Sequence, residues 1–166
     1  MNLSGLFANA SSFAQVCKMT KDESLLLVPS VVNGAFACEL YLKGLLMLQG
    51  YTLEDLKKLP TPQQHNLSDL YGFLLESTKE YLENSVIDKI TCSKNEFSSY
   101  LSDIATAFVD WRYGYEDQSV SISNDNAATR IKIYIKDMGV NTKFLDEFIS
   151  CLHDLSDKKI CEKINE

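Results

Sequence analysis

Apolar residues recur at spacings of three and four along most of this chain, the period of an amphipathic helix. The pattern predicts a first helix over about Leu3 to Met19, with Leu6, Phe7, Phe13, Ala14 and Cys17 on one face. A second begins near Pro29, whose fixed φ suits a first turn, and stops at Gly50. Its stripe is Val31, Val32, Ala35, Cys38, Leu42, Leu45 and Leu46. A short turn of helix from Thr52 is closed by Pro60 and Pro62, and a third helix starts near His65 or Asn66, carrying Leu67, Leu70, Tyr71, Leu74 and Leu75. Ser77-x-x-Glu80 and Ser93-x-x-Glu96 both have the form of a capping box. The first predicts a segment to about Ile90, the second a fourth helix to about Tyr115. In that helix Phe97, Tyr100, Leu101, Ile104, Phe108, Trp111 and Tyr115 make the clearest stripe, read as core. The period then changes to two, in Ser119 to Ser123 and Arg130 to Lys136, on either side of the turn residues Asn124-Asp125-Asn126. That change predicts a small β-hairpin over about 118–137. After Gly139 a last helix is expected from about Thr142 to Ile164, with Phe144, Leu145, Phe148, Ile149, Leu152 and Leu155 inward. The expected fold is mainly α: one domain over 1–166, a bundle of five or six helices with a hairpin before the last.

At 166 residues, with 45% hydrophobic and 23% charged, the chain is long enough to bury a core without staples. Its net charge of −7 makes it a poor nonspecific binder of nucleic acid or anionic membrane. The first basic residue is Lys18, so no secretory signal is expected. The most apolar run, Leu25 to Cys38, carries Pro29, Ser30, Asn33 and Gly34 and is followed by Glu39 and Lys43; it reads as too short and too polar to span a bilayer. A cytoplasmic protein without membrane contact is expected. Five cysteines with no C-x-x-C read as reduced, mostly core residues. Cys151 and His153 lack a second ligand pair, so no metal is expected. No phosphate-binding glycine loop, dinucleotide turn, H-E-x-x-H helix or nucleophile elbow occurs, and no cofactor is implied.

Three polar residues sit in awkward places. Glu39 lies roughly 20° from Val32 and Leu46 and roughly 40° from Ala35 around the second helix. A carboxylate inside that stripe needs a partner, since an unpaired buried charge costs several kcal/mol, and Lys43 is one turn on. Arg112, one of only two arginines, borders the core on the fourth helix with Glu116 at i+4; Asp110, Tyr113 and Tyr115 flank it. His65 opens the third helix, where an imidazole can cap, hydrogen-bond or transfer protons. These residues suit either a structural ion-pair network between helices or an active or ligand-binding cluster. Arg130, Lys132 and Lys136 share one face of the second expected strand, either as a local phosphate contact or as charges that keep an exposed edge from pairing.

Three stretches resemble one family when taken in order. They are Phe36-Ala37-Cys38-Glu39-Leu40-Tyr41-Leu42-Lys43-Gly44-Leu45-Leu46, His65-Asn66-Leu67-Ser68-Asp69-Leu70, and Phe108-Val109-Asp110-Trp111-Arg112-Tyr113-Gly114-Tyr115-Glu116. The order is similar to the HEPN superfamily of small helical domains, over about residues 1–116 and the last helix. The resemblance implies an antiparallel bundle, often a homodimer. Its members cut RNA without metal in toxin–antitoxin and phage-defence systems, bind RNA or nucleotides, or serve as non-catalytic modules. The RNA-cutting members carry an arginine followed four to six residues later by a histidine. Here no histidine follows Arg112 in that window. The expected site is therefore His65 and Arg112 with Glu39 or Glu116 as second base, and Lys43, Asp110 and Tyr113 as ligand contacts. The expected partner is RNA, a nucleotide or a companion protein. The alternative is a non-catalytic dimerisation or protein-interaction module.

Overall fold

The structure is a computed structural model that describes residues 2–60, 63–105, 107 and 140–164. Seven α-helices occur among them: α1 (Leu3–Thr20), α2 (Leu27–Leu48), α3 (Leu53–Lys58), α4 (Leu67–Gly72), α5 (Glu76–Ile90), α6 (Lys94–Ile104) and α7 (Thr142–Ile164). The number exceeds five or six because the short turn expected from Thr52 is a helix of its own, α3, and α5 is separate from α4. The hairpin expected over 118–137 and the continuation of α6 to Tyr115 lie outside the described residues.

Helix α2 is the axis of the bundle. It is longer than the apolar run suggested: at 22 residues, Leu27–Leu48 is long and apolar enough to cross a membrane by length and composition. Two thirds of that apolar window, 67%, is instead buried inside the fold. The burial reaches beyond one stripe. Gly34, Ala37, Glu39, Leu40, Tyr41 and Gly44 are buried along with Val31, Ala35, Cys38, Leu42, Leu45 and Leu46, because α1, α4 and α7 all pack on this helix.

Helices α1 and α2 form an antiparallel hairpin. Phe7 meets Gly44 and Tyr41, Phe13 meets Phe36 edge-on, and Cys17 meets Gly34 and Ser30, so rising numbers on one helix face falling numbers on the other. A Cβ on Gly44 would fall inside contact distance of the Phe7 ring, which is itself buried. Gly44→Ala is therefore expected to cost about 1–3 kcal/mol by overpacking, read as a lower thermal midpoint. Phe7→Ala in the same chain should make the added methyl close to harmless.

The other helices close around the axis. Leu145 and Ile149 of α7 approach Gly34, and His153 approaches Tyr41, so α7 runs parallel to α2. Phe97 of α6 packs on Phe144 and Phe148 of α7 and on Tyr71 of α4, joining these helices through one aromatic cluster. Helix α5 returns along α7, with Lys89 beside Ser150 and Lys158 over the Tyr81 ring.

Most helix starts follow the sequence signals. Thr52 with Asp55 and Ser93 with Glu96 form reciprocal capping boxes, and the serine and threonine contacts hold both carboxyls below their ordinary range. Pro29 sits in the first turn of α2, two residues after its start, behind a 3-10 turn over Ser24–Leu26. Gly50, at φ +103, terminates the path out of α2 in a backbone conformation that favours glycine. The box read at Ser77-x-x-Glu80 is not a cap. Helix α5 starts at Glu76 with Leu75 before it, and Gln49 from the end of α2 accepts the Leu75 N–H instead. A tertiary contact set that start, so the local motif lies inside the helix.

Candidate functional site

Glu39 is buried at 1% exposure in the middle of α2. Its Oε1 accepts a hydrogen bond from Lys43 Nζ at 2.6 Å, one helical turn away. The same oxygen lies 3.0 Å from Nδ1 of His65, which comes from a different part of the chain. The carboxylate and its lysine thus arise from helical periodicity, while the imidazole arrives by tertiary packing.

His65 is held in place by its neighbours. Asn66, not His65, is the N-cap of α4: its side chain accepts the Asp69 N–H at 3.1 Å. Leu67 donates its N–H to the Ala105 carbonyl at the end of α6, and Leu67 and Leu70 are buried in the core. On the other side Gln64 donates to the Leu59 carbonyl, tying the turn to the end of α3. The imidazole is therefore spared capping duty and fixed against α2.

Exposure rises outward across the cluster, from 2% for the Glu39 side chain through 15% for Lys43 to 40% for His65. An inner carboxylate holds an outer imidazole, and an ammonium balances the carboxylate's charge. The second oxygen, Glu39 Oε2, is buried and has no hydrogen-bond partner among the described residues. Nε2 of His65 likewise has none among them. Buried carboxylate oxygens are costly to leave unpaired, and Oε1 meets both Lys43 Nζ and His65 Nδ1. Chemically the cluster can orient an imidazole and exchange a proton at its open nitrogen.

Of the residues expected in the site, Glu39, Lys43 and His65 are thus brought together. Asp110, Arg112, Tyr113 and Glu116 lie outside the described residues, as do Arg130, Lys132 and Lys136. Among the described residues no group of three metal-ligating side chains occurs. Cys17, Cys38 and Cys151 are buried, Cys92 is half-buried and Cys161 exposed, and none forms a disulfide.

Sequence reading passed over Tyr41 and the surface beside it. Tyr41 is 2% exposed, packs by its ring near His153 at 6.0 Å, and has no hydrogen bond of good geometry among the described residues. Burial pushes its phenol up to about 12; the Ser11 hydroxyl lowers it only in part, and Asp157 and Asp154 add to the rise. Ser11 and Lys18 of α1 and Ser150, His153 and Asp154 of α7 line a groove of about 320 Å³ on that side. His153 Nδ1 lies 3.4 Å from Asp157 Oδ2, one helical turn on. A folded-state phenol pKa above the unfolded value contributes stability present below about 10 and lost as pH rises through about 12. Tyr41→Phe is expected to be neutral or to stabilise by about 1 kcal/mol at neutral pH, since it removes an unsatisfied hydroxyl. It should also flatten the loss of stability in alkaline urea titrations.

Comparison of the chain with protein-family models, with curated proteins and with solved structures finds no match.

Proposed function

We propose that this chain is a HEPN-like domain that binds RNA or a nucleotide and cleaves RNA without metal, with His65 as its proton-transfer group. The observation that carries the reading is the half-exposed imidazole braced by a buried carboxylate, His65 Nδ1 to Glu39 Oε1 at 3.0 Å. Such a brace holds a ring ready for acid–base work at an accessible nitrogen. The ordered resemblance of the Glu39, His65 and Arg112 stretches supports the same reading. Arg112 is assigned the charge that builds up on phosphate, Glu116 the second base, and Asp110 and Tyr113 the flanking ligand contacts. Defence or stress response in a prokaryote, and pairing of two copies, follow from the resemblance alone, and with the cytoplasmic location they belong to the proposal.

The test is incubation of the full chain with a panel of structured and single-stranded RNAs in EDTA, with nucleotide binding followed in parallel. Cleavage that is lost in Arg112→Ala while the variant remains folded supports the reading; saturable binding of either ligand without cleavage supports its binding half and overturns the ribonuclease half. No cleavage and no binding across the panel would overturn it. A second reading has its own support: Lys43 and His65 converge on one oxygen, which is how a purely structural clamp between α2 and the α4 turn would be built. In that case the domain is a dimerising or companion-binding module, and Arg112→Ala lowers stability instead of activity.

A further inference from the structure

We infer that Glu39 is the positioning residue of His65: it holds the ring as the Nδ1–H tautomer and leaves Nε2 at the surface as a proton acceptor. The inference comes from counting donors at a single atom. Lys43 carries only N–H donors, so at 2.6 Å the Glu39 Oε1 must accept from it. Of the two carboxyl oxygens it is the one that faces an ammonium, at 2.6 Å, and is the less suited to carry a proton, so we assign Oε1 as acceptor towards His65 as well. A 3.0 Å contact from His65 Nδ1 to an accepting oxygen requires a proton on Nδ1. In the neutral ring the lone pair is then on Nε2, which has no partner among the described residues, on a side chain 40% exposed.

This geometry removes Glu39 itself from the reacting groups. Its Oε1 is occupied by two donors and its Oε2 is buried, so neither oxygen meets a ligand at the surface. What remains is an imidazole base. Resting on the ribonuclease reading for its substrate, the step runs as follows. Nε2 takes the proton of a ribose 2′-hydroxyl, the O2′–P bond forms, and the P–O5′ bond breaks. The leaving 5′-oxygen takes a proton from water or from the imidazolium. The products are a 2′,3′-cyclic phosphate and a 5′-hydroxyl, and a strand lacking the 2′-hydroxyl is left uncut.

The tautomer can be read without any substrate. Two-bond ¹H–¹⁵N correlation of the full chain in alkaline buffer, where imidazole is neutral, distinguishes a protonated from an unprotonated ring nitrogen. His65 and His153 are the only two histidines, and His153→Gln assigns them. The wild-type His65 should show protonated Nδ1 and bare Nε2. Glu39→Gln, whose amide oxygen still accepts, should keep that pattern, and Glu39→Leu should return the ring to the mixture of free imidazole. If the leucine variant does not fold, Glu39→Leu combined with Lys43→Met removes both charges and serves instead. A wild-type ring protonated on Nε2, or a pattern unchanged by the loss of Glu39, overturns the inference. The expected tautomer together with no RNA cleavage would sink the ribonuclease reading while leaving the positioning role intact.

Discussion

Lys43→Met is expected to lower the stability of the chain by about 3 kcal/mol, read as a fall in urea midpoint at unchanged slope. The methionine keeps most of the lysine's length and apolar contact, so packing loss is small. What changes is the charge beside Glu39. The carboxylate stays at 2% side-chain exposure in the centre of α2, where water cannot replace the 2.6 Å hydrogen bond that is lost. Removing one member of a buried pair typically costs about 3–5 kcal/mol, because the other charge is left uncompensated. His65 remains on the same oxygen, and its presence argues for the lower end of that range. A loss below about 0.5 kcal/mol, the scale of an ordinary surface pair, would place the carboxylate in water.

His65→Gln is expected to separate activity from stability. The imidazole is 40% exposed and contributes one partly solvated hydrogen bond, so its loss should cost no more than about 1 kcal/mol. Lys43 continues to neutralise Glu39 in this variant. RNA cleavage in EDTA, by contrast, should fall about 10²- to 10⁴-fold, the usual contribution of a positioned proton-transfer group. Cleavage at the wild-type rate would remove His65 from the chemistry. The two substitutions form a complementary pair: one inner cation whose loss unbalances the fold, and one outer ring whose loss leaves the fold standing.

The buried end of this cluster was legible in the sequence, and its reach was not. Helical angles placed Glu39 within the apolar stripe, and Lys43 at i+4 followed as its partner; both contacts lie within one helix, where spacing is geometry. His65 stood out as a polar residue near a helix start, yet its bond to Glu39 joins positions 26 apart and depends on how α4 docks on α2. No periodicity encodes that docking. The full burial of α2 was hidden for a related reason. A stripe analysis assumes one wet face, but Gly34, Ala37 and Gly44 let neighbours approach from sides the stripe leaves open. Tyr41 escaped notice because a tyrosine in an apolar helix is unremarkable until its hydroxyl is found without a partner. The capping motifs show the same boundary. Ser93-x-x-Glu96 is satisfied locally and was read correctly, whereas the start of α5 is set by Gln49, an anchor from the far end of another helix.

The most direct measurement is a double-mutant cycle on Glu39 and Lys43, using urea unfolding of the wild type, Lys43→Met, Glu39→Leu and the double variant. A buried charge pair predicts strong non-additivity: the double variant should recover at least about 2 kcal/mol relative to the sum of the singles, and should approach wild-type stability as an apolar substitute for the pair. Additivity within about 0.5 kcal/mol would mean that the carboxylate and the ammonium do not depend on each other, and that no inner charge holds the imidazole in place.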